Sequence, residues 1–598
     1  MADAIDAGQL MDEAAEAQSG VDRPACQAKR KQLTAAHVAG LALGYEPHPF
    51  IADLFIHLMN RGAKNVRFTP LMAKIDTPGT IGVAGAGTMG AGIAHLACVA
   101  GARTLLYDAL PDALERGIAS ISKRLERELE RGRMNREERD AALARLEPAA
   151  ELADLAPCEL VIEAAPESLE LKRSLFARLS EEVVAEDCVL ATNTSSLLVT
   201  AIAAAVKRPD RVVGMHFFNP APVMRLLEVV AGEESAPEAL AVARAAGEAM
   251  GKHVIDAADG PGFLVNRSNR PFGLEALKLL QERIASVEQI DLICRLGGGF
   301  RMGPFELMDL VGVDTGFDVS RSFYEQSFGE ARWRPSPITA RYVAAGRHGR
   351  KSGRGYYDYA RDPYRPPDPE PRTAGGAAGL AVIAGESVLA TELSDAATEA
   401  GWQVATHSSE EVPALILDCT DGDSEVPLQG GPRAVLCAAG SLAALDPAGN
   451  AVGFHALPPL EESGLIELVR GPDTADSAAT AAERFFATLG KHVAWVEDAP
   501  GLVLGRIVCQ VVNEAAFAIA EGVGSAADID AGMIHGLNYP RGILSWADQI
   551  GIDHVLAVLD GLFEERRDER YRAAPLLRQL AWAGRLGRQT GEGFFSYE

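Results

Sequence analysis

Two His–Glu pairs in the sequence share one spacing. His216 and Glu228 stand twelve residues apart in GMHFFNPAPVMRLLEVV, and His455 and Glu467 stand twelve apart in GFHALPPLEESGLIELV, 239 residues further on. A histidine is the side chain best tuned to take a hydroxyl proton near neutral pH. A glutamate on its other ring nitrogen fixes the tautomer and stabilises the imidazolium, and nearby amides or hydroxyls can hold an oxygen that gains charge. For the first pair, Asn219, Asn266 and Ser195 supply those groups. A single histidine near a strand end is more often structural than reactive, so the surrounding elements decide.

From Thr80 onward, short apolar runs (TIGVAG, RTLLYD, CELVIEAA, DCVLATNTS, RVVGMHFF) alternate with helical stretches. Such runs are buried on both faces of a parallel sheet. His216 falls past the carboxyl ends of these strands, where open α/β sheets bind ligands. The first run leads into Gly85-x-Gly87-x-x-Gly90, then a helix, then a strand ending in Asp108. Gly85 permits the tight turn, Gly87 the approach of a pyrophosphate, and Gly90 close helix–strand packing. Thr88 and Met89, at the start of the helix, add to the phosphate-facing end. Asp108 is placed to accept from a ribose 2′-hydroxyl, and no Arg follows it to receive a 2′-phosphate. The expected cofactor is NAD rather than NADP.

Composition excludes other classes. A chain of 598 residues implies several domains, and its net charge of −26 argues against nucleic acid or an anionic membrane as partner. Eight cysteines without a CxxC pair, several inside apolar runs, argue against disulfides or a zinc site and fit a reducing cytoplasm. No metal site is expected. The sequence shows neither a long apolar span nor a basic-then-apolar leader, so a membrane segment is not expected either.

The pattern of the first half then restarts. DGPGF at 259 recurs as DAPGL at 498, GKHV at 251 recurs at 490, and GRKSGRGYYDY at 349 recurs as GRQTGEGFFSY at 587. The offsets of 239, 239 and 238 residues mark an internal duplication. The expected domains are an extension at 1–76, with Met72 as a candidate start, and an α/β domain at 77–258. A helical domain at 259–360 follows, then a Pro/Gly linker at 361–378, a second α/β domain at 379–497 and a second helical domain at 498–598. The fold class is α/β: a Rossmann-type NAD-binding domain plus an all-helical domain, the pair repeated in degenerate form.

Together these residues resemble the L-3-hydroxyacyl-CoA dehydrogenase family. GAGTMGAGIA, VIEAAPESLELK, TNTSS, GMHFFNPAPVMRLLEVV, DGPGFLVNR and MGPFELMDLVGVD stand in that family's order, strongly over 77–360 and more weakly over 379–598. The resemblance implies NAD-dependent oxidation of the 3-hydroxyl of an (S)-3-hydroxyacyl-CoA. It puts the catalytic His on His216, the orienting Glu on Glu228, and the assisting groups on Ser195, Asn219 and Asn266. Cofactor contacts beyond the glycines fall on Asp108, Glu167, Lys172 and Asn193. A CoA-clamping helical arm falls on 114–140, where i,i+4 pairing of its bases with its many Glu is the plain alternative. A free 3-hydroxy acid or a carnitine-like compound is the alternative substrate, and a non-catalytic binding protein the alternative class.

The second copy is expected to be inactive. Gly85 aligns with Gly385, but Gly87 aligns with Ser387, Gly90 with Ala390 and Asp108 with Ser408. The arm is missing, Asn219 becomes Pro458, Asn266 becomes Gly505, and Ser195 is matched to Ser441. Residues 498–598 are instead expected to cover the apolar face of 259–360, a pairing of helical domains within one chain, with a homo-oligomer as a further expectation.

Overall fold

A computed structural model describes residues 77–407, 411–420, 430–447 and 449–597, all within the compact unit Ile75–Glu598. The expected extension at 1–76, with Met72, and the residue Ser408 lie outside the described residues.

The first sheet holds β1 (Thr80–Ala84), β2 (Arg103–Tyr107), β3 (Leu146–Ala149) and β4 (Leu160–Glu163). It continues with β5 (Val189–Thr192), β6 (Val212–Phe217), β7 (Leu226–Ala231) and β8 (His253–Ala258). The order is β3-β2-β1-β4-β5-β6-β7-β8. All neighbours run parallel except β6 and β7, so the chain turns back after His216 and brings Glu228 directly opposite it. The apolar runs LVIE and VLAT are buried along their whole length, as strands covered on both faces must be.

The second sheet repeats this plan with β9 (Leu380–Ala384), β10 (Gln403–Ala405), β11 (Leu415–Asp418) and β12 (Arg433–Leu436). Then come β13 (Val452–His455), β14 (Leu465–Arg470) and β15 (His492–Val496). Its order is β10-β9-β11-β12-β13-β14-β15, with β13 and β14 antiparallel and His455 opposite Glu467. Among the described residues there is no counterpart of β3 and none of the helical arm. In the first half that arm is two helices, Pro111–Glu130 and Arg136–Arg145, the second opened by an Asn135–Glu138 capping box.

Each sheet is followed by helices and a closing hook. Asp309 accepts the N–H groups of Tyr356 and Tyr357, and Asp548 accepts those of Phe594 and Phe595. The 361–378 segment is irregular but tied down: Tyr364 and Arg365 donate to Glu306, and Asp368 accepts from Arg295.

The two halves meet reciprocally. The helix Arg270–Glu282 packs on Leu504–Ala520. Across this seam Arg267 donates to Glu514 and Glu521, and Arg506 donates to Glu275 and Glu282. Every partner is displaced by 239 residues, so the contact is the two-fold, self-complementary kind found between identical subunits, here within one chain. Each sheet is also bonded by the other half: Ala258 N–H donates to Val523 O, and Glu497 N–H to Ile284 O. The helix Ala526–Leu537 lies on β7 and β8, while Val287–Gly298 lies on β14.

Candidate active site

The glycine turn follows from steric need. Gly85 has φ +115°, and a side chain there would press on the Ala164 backbone; one on Gly90 would run into Gly85 O. At Gly87 a side chain would meet nothing within 4 Å, so that face of the turn is open. Gly87 caps the helix Thr88–Val99 without a side-chain bond, leaving the N–H groups of Thr88 and Met89 to face an anion. Beyond the end of β2, Asp108 accepts from Ala86 N–H at 2.7 Å and Leu110 N–H at 2.9 Å. These bonds pin its carboxylate beside the turn. The residues fit a dinucleotide: an open phosphate cradle with a fixed acid beside it, just past the end of the next strand.

Further along the carboxyl edge lies a polar cluster that the sequence showed only in part. Lys172 is buried and bonds Glu163 at 2.7 Å, with Glu167 at 3.4 Å. Glu163 also accepts from Thr192 Oγ1 and Ala165 N–H. Its place at the end of the apolar run LVIE is the signal that could have found it. Burial would raise the pKa of Glu167, but Lys172 and the bonds from Thr194, Ser196 and Ser195 N–H hold it below the usual carboxylate range. Asn193 accepts from Phe217 N–H at 2.8 Å, coupling this cluster to the strand that carries His216.

His216 Nδ1 and Glu228 Oε2 are 2.6 Å apart, with Glu228 fully buried and His216 6% exposed. The other oxygen of Glu228 accepts from Leu264 N–H and Val265 N–H, at the entry to the short helix Val265–Ser268. Phe218 and Phe263 wall the imidazole at 4.6 and 5.7 Å between ring centroids. Asn266 sits on that same short helix, half-buried, and Asn219 is exposed just after β6. Ser195 is half-buried in the loop whose Ser196 carbonyl accepts from Gln326. The second half also touches the site, since Gly536 packs against Phe218 and Leu226.

The second His–Glu pair is built differently. Glu467 gives one oxygen to Val503 N–H and the other to Leu504 N–H, at 2.7 and 3.0 Å. His455 turns away to His554, with Nε2 to Nε2 at 3.2 Å, and its Nδ1 has no partner. Burial holds His455 far below the usual imidazole range, helped by His554, and pushes Glu467 up to about 8. The match of Ser195 to Ser441 needs correcting. Val199 and Thr200 N–H bond Asp259 as Leu442 and Ala443 N–H bond Asp498. Counting back four residues from Leu442 places Ala438, not Ser441, opposite Ser195.

A phosphate-type glycine turn heading a dinucleotide sheet, with a helical domain against its carboxyl edge, defines the class: a nicotinamide-dependent dehydrogenase. Residues 80–260 match the family model for the 3-hydroxyacyl-CoA dehydrogenase NAD binding domain. Residues 262–359 and again 501–597 match the 3-hydroxyacyl-CoA dehydrogenase C-terminal domain. A 3-hydroxyadipyl-CoA dehydrogenase of Escherichia coli K12 is 38% identical over 502 residues, 84% of this chain and 97% of that protein. A 3-hydroxybutyryl-CoA dehydrogenase of Bradyrhizobium diazoefficiens is 40% identical over 279 residues, 47% of this chain and 94% of its own. The crystal structure of a 3-hydroxybutyryl-CoA dehydrogenase from Escherichia coli K12 superposes with TM-score 0.72 and 36% identity, over 85% of this chain and 99% of that one. The chain belongs to the 3-hydroxyacyl-CoA dehydrogenase family, NAD-dependent oxidoreductases. Among the described residues no helix is long and apolar enough to cross a membrane.

Proposed function

We propose that the chain oxidises the 3-hydroxyl of an (S)-3-hydroxyacyl-CoA to a 3-oxo group at His216. The observation that carries this reading is the 2.6 Å contact of His216 Nδ1 with a glutamate fixed by two backbone N–H groups. NAD supplies the acceptor for the hydride when it is bound. With Nδ1 donating to Glu228, Nε2 keeps its lone pair and takes the hydroxyl proton, and the imidazolium so formed faces a carboxylate that cannot swing away. The amides of Asn219 and Asn266 and the hydroxyl of Ser195 donate to the substrate oxygen. Gly85, Gly87, Thr88, Met89 and Gly90 hold the pyrophosphate, Asp108 the ribose, and Glu167, Lys172 and Asn193 the nicotinamide side.

The CoA thioester is supported by the arm and by the relatives, whose names specify 3-hydroxybutyryl-CoA and 3-hydroxyadipyl-CoA. Among the described residues no carboxylate lies within 4 Å of Lys123, Arg124, Arg127, Arg131 or Arg133; Arg139 pairs with Glu126. The intrahelical pairing that would have neutralised the arm is absent there, and its cations are left for phosphates. Among the described residues the seven cysteines are free and buried, which suits a reducing, cytoplasmic setting. The deciding experiment is NADH formation from (S)-3-hydroxybutyryl-CoA, with a free 3-hydroxy acid and the His216→Gln variant as controls. Turnover of the free acid at a comparable rate would displace the CoA reading.

A further inference from the structure

We propose that Lys252 is a positioning residue for the reaction at His216, tying the 218–225 loop to the start of β8 and so fixing where the Asn219 amide stands. The inference rests on the reading of Asn219 as a donor to the substrate oxygen and goes beyond it.

Lys252 is the lysine of GKHV, a repeated motif to which the chemistry at His216 assigns no part. Its Nζ donates to Ala221 O at 2.5 Å and to Met224 O at 2.8 Å. The side chain is buried, and among the described residues no carboxylate pairs with it. Burial lowers its pKa to about 8, so the ammonium is mostly charged at neutral pH. A charge buried without a counter-ion depends on the carbonyls that meet it, and charge-assisted bonds are the strong kind. An ammonium carries three donors on one atom and can hold two carbonyls at once.

Those carbonyls lie in the loop that carries Asn219. The loop leaves β6 at Phe217 and enters β7 at Leu226. Within it Val223 and Met224 N–H donate to Pro220 O, closing a turn just after Asn219. On one side Ala221 and Pro222 press on Gly92, in the helix that the glycine turn opens; a Cβ at Gly92 would stand 3.0 Å from Pro222. On the other side Lys252 holds its two carbonyls, and His253 N–H donates to Arg225 O. The loop is thus fixed between the cofactor helix and β8. Asn219 is exposed, so its amide is placed by the backbone that carries it rather than by packing around its side chain.

The second half supplies a matched comparison. Lys491 donates to Leu460 O and Ser463 O, both at 2.6 Å, the carbonyls 239 residues on from those of Ala221 and Met224. There Pro458 stands where the first half has Asn219. The tie is therefore part of the shared fold, and its bearing on catalysis comes from the amide that the first loop carries and the second lacks.

The experiment is a double-mutant cycle on oxidation of (S)-3-hydroxybutyryl-CoA by the full-length protein. It combines Lys252→Met with Asn219→Ala and takes Lys491→Met as the matched control. Asn219→Ala is expected to lower kcat roughly 10²–10³-fold, the usual effect of removing one donor to a developing oxyanion. Lys252→Met is expected to lower kcat roughly 10–100-fold with both KM values little changed, since a misplaced amide weakens a transition-state contact. Added to Asn219→Ala, it is expected to cost about twofold or less, because the amide it serves is gone. Lys491→Met is expected to lower the melting temperature about as much as Lys252→Met while leaving kcat alone. Lys252→Gln, neutral and too short to reach both carbonyls, should show the same non-additivity at smaller size and decides the matter if the Met variant does not fold. The same change in kcat for Lys252→Met in both backgrounds, or an equal loss for Lys491→Met, overturns the positioning role alone. Asn219→Ala at wild-type turnover removes Asn219 from the site and this proposal with it, leaving His216 in place. A wild-type protein that does not oxidise the thioester overturns the dehydrogenase reading and this proposal together.

Discussion

His455 rests its ring on Gly505, so closely that a Cβ at Gly505 would stand 2.7 Å from Nε2. The equivalent residue in the first half is Asn266, on the short helix beside His216. Loss of the asparagine side chain opens the space into which His455 turns. That turn breaks its contact with Glu467 and buries the ring completely. The space beside Gly505 is therefore filled by the His455 ring itself.

His216→Gln is expected to lower turnover by roughly 10²–10⁴, the usual contribution of positioned acid/base catalysis. His455→Gln is expected to leave turnover where it is and to change the melting temperature instead. Steady-state rates and melting curves on both variants check this. A His455 variant that halves the maximal rate without a change in melting would make the second half a working site.

Gly505→Ala forces a methyl group into the His455 ring. Such overpacking costs about 1–3 kcal/mol, seen as a lower denaturant midpoint with kcat/KM preserved. An alanine variant as stable as the wild type would mean that the ring has freedom to move, contrary to its tight packing.

Glu467 gives a pH dependence of definite sign. Burial raises it to about 8 against bonds from Leu504 and Val503 N–H, while His455 and His554 are lowered by burial, the latter to about 4. In the unfolded chain both histidines titrate near pH 6.5 and add an opposite slope there, one that Glu467→Gln shares and that fades by about pH 7.5. Between pH 6.5 and 8 the folded state keeps much of the Glu467 proton that the unfolded chain has lost, so the Glu467 contribution to stability falls as pH rises. Its slope is at most roughly 1.4 kcal/mol per pH unit and flattens as pH passes 8. Unfolding free energies of wild type and Glu467→Gln across this window should converge as pH rises. Parallel curves would place an ionised carboxylate in the core.

Much of this was legible in the sequence. The glycine turn, the terminal acid and the apolar strands follow from local sterics and period, and the duplication from constant offsets. The side-chain geometry of the second pair was not legible. The spacing of His455 and Glu467 fixes their cross-strand register, but whether the ring meets the carboxylate depends on Gly505, some fifty residues away in the sequence. Glu163 was missed for a similar reason. It stands within VIEAAPESLELK, but its weight comes from Lys172 and Thr192, brought by other elements.

Asp108→Ala should weaken NAD binding more than NADP binding, because a carboxylate repels a 2′-phosphate while accepting from a 2′-hydroxyl. Dissociation constants for both cofactors, measured by fluorescence titration, check it. Equal losses would mean that Asp108 serves only to pin Ala86 and Leu110 N–H.

The reciprocal seam joins the two halves, and it can be broken one charge at a time. Arg506 is fully buried and bonds Glu275 at 2.5 Å, Glu282 at 2.8 Å and Tyr571 Oη at 2.7 Å. Replacing Arg506 by Met takes from Glu275, which is 3% exposed, its closest cation and leaves it Tyr571 Oη at 2.9 Å and Arg570 at 3.9 Å. Breaking a buried pair from one side costs about 3–5 kcal/mol, whereas removing both members with apolar groups is often close to neutral. Arg506→Met should therefore destabilise far more than the double variant with Glu275→Met, and the double-mutant cycle should show strong coupling. The cost should reach the first site as well, because Ala526–Leu537 covers β7 and β8 and Gly536 supports Phe218 beside His216. In a denaturant series, activity and second-half structure should then be lost in one transition. If activity survives a separate, earlier unfolding of the second half, the seam is a tether between independent domains and the degenerate copy gives the active site no support.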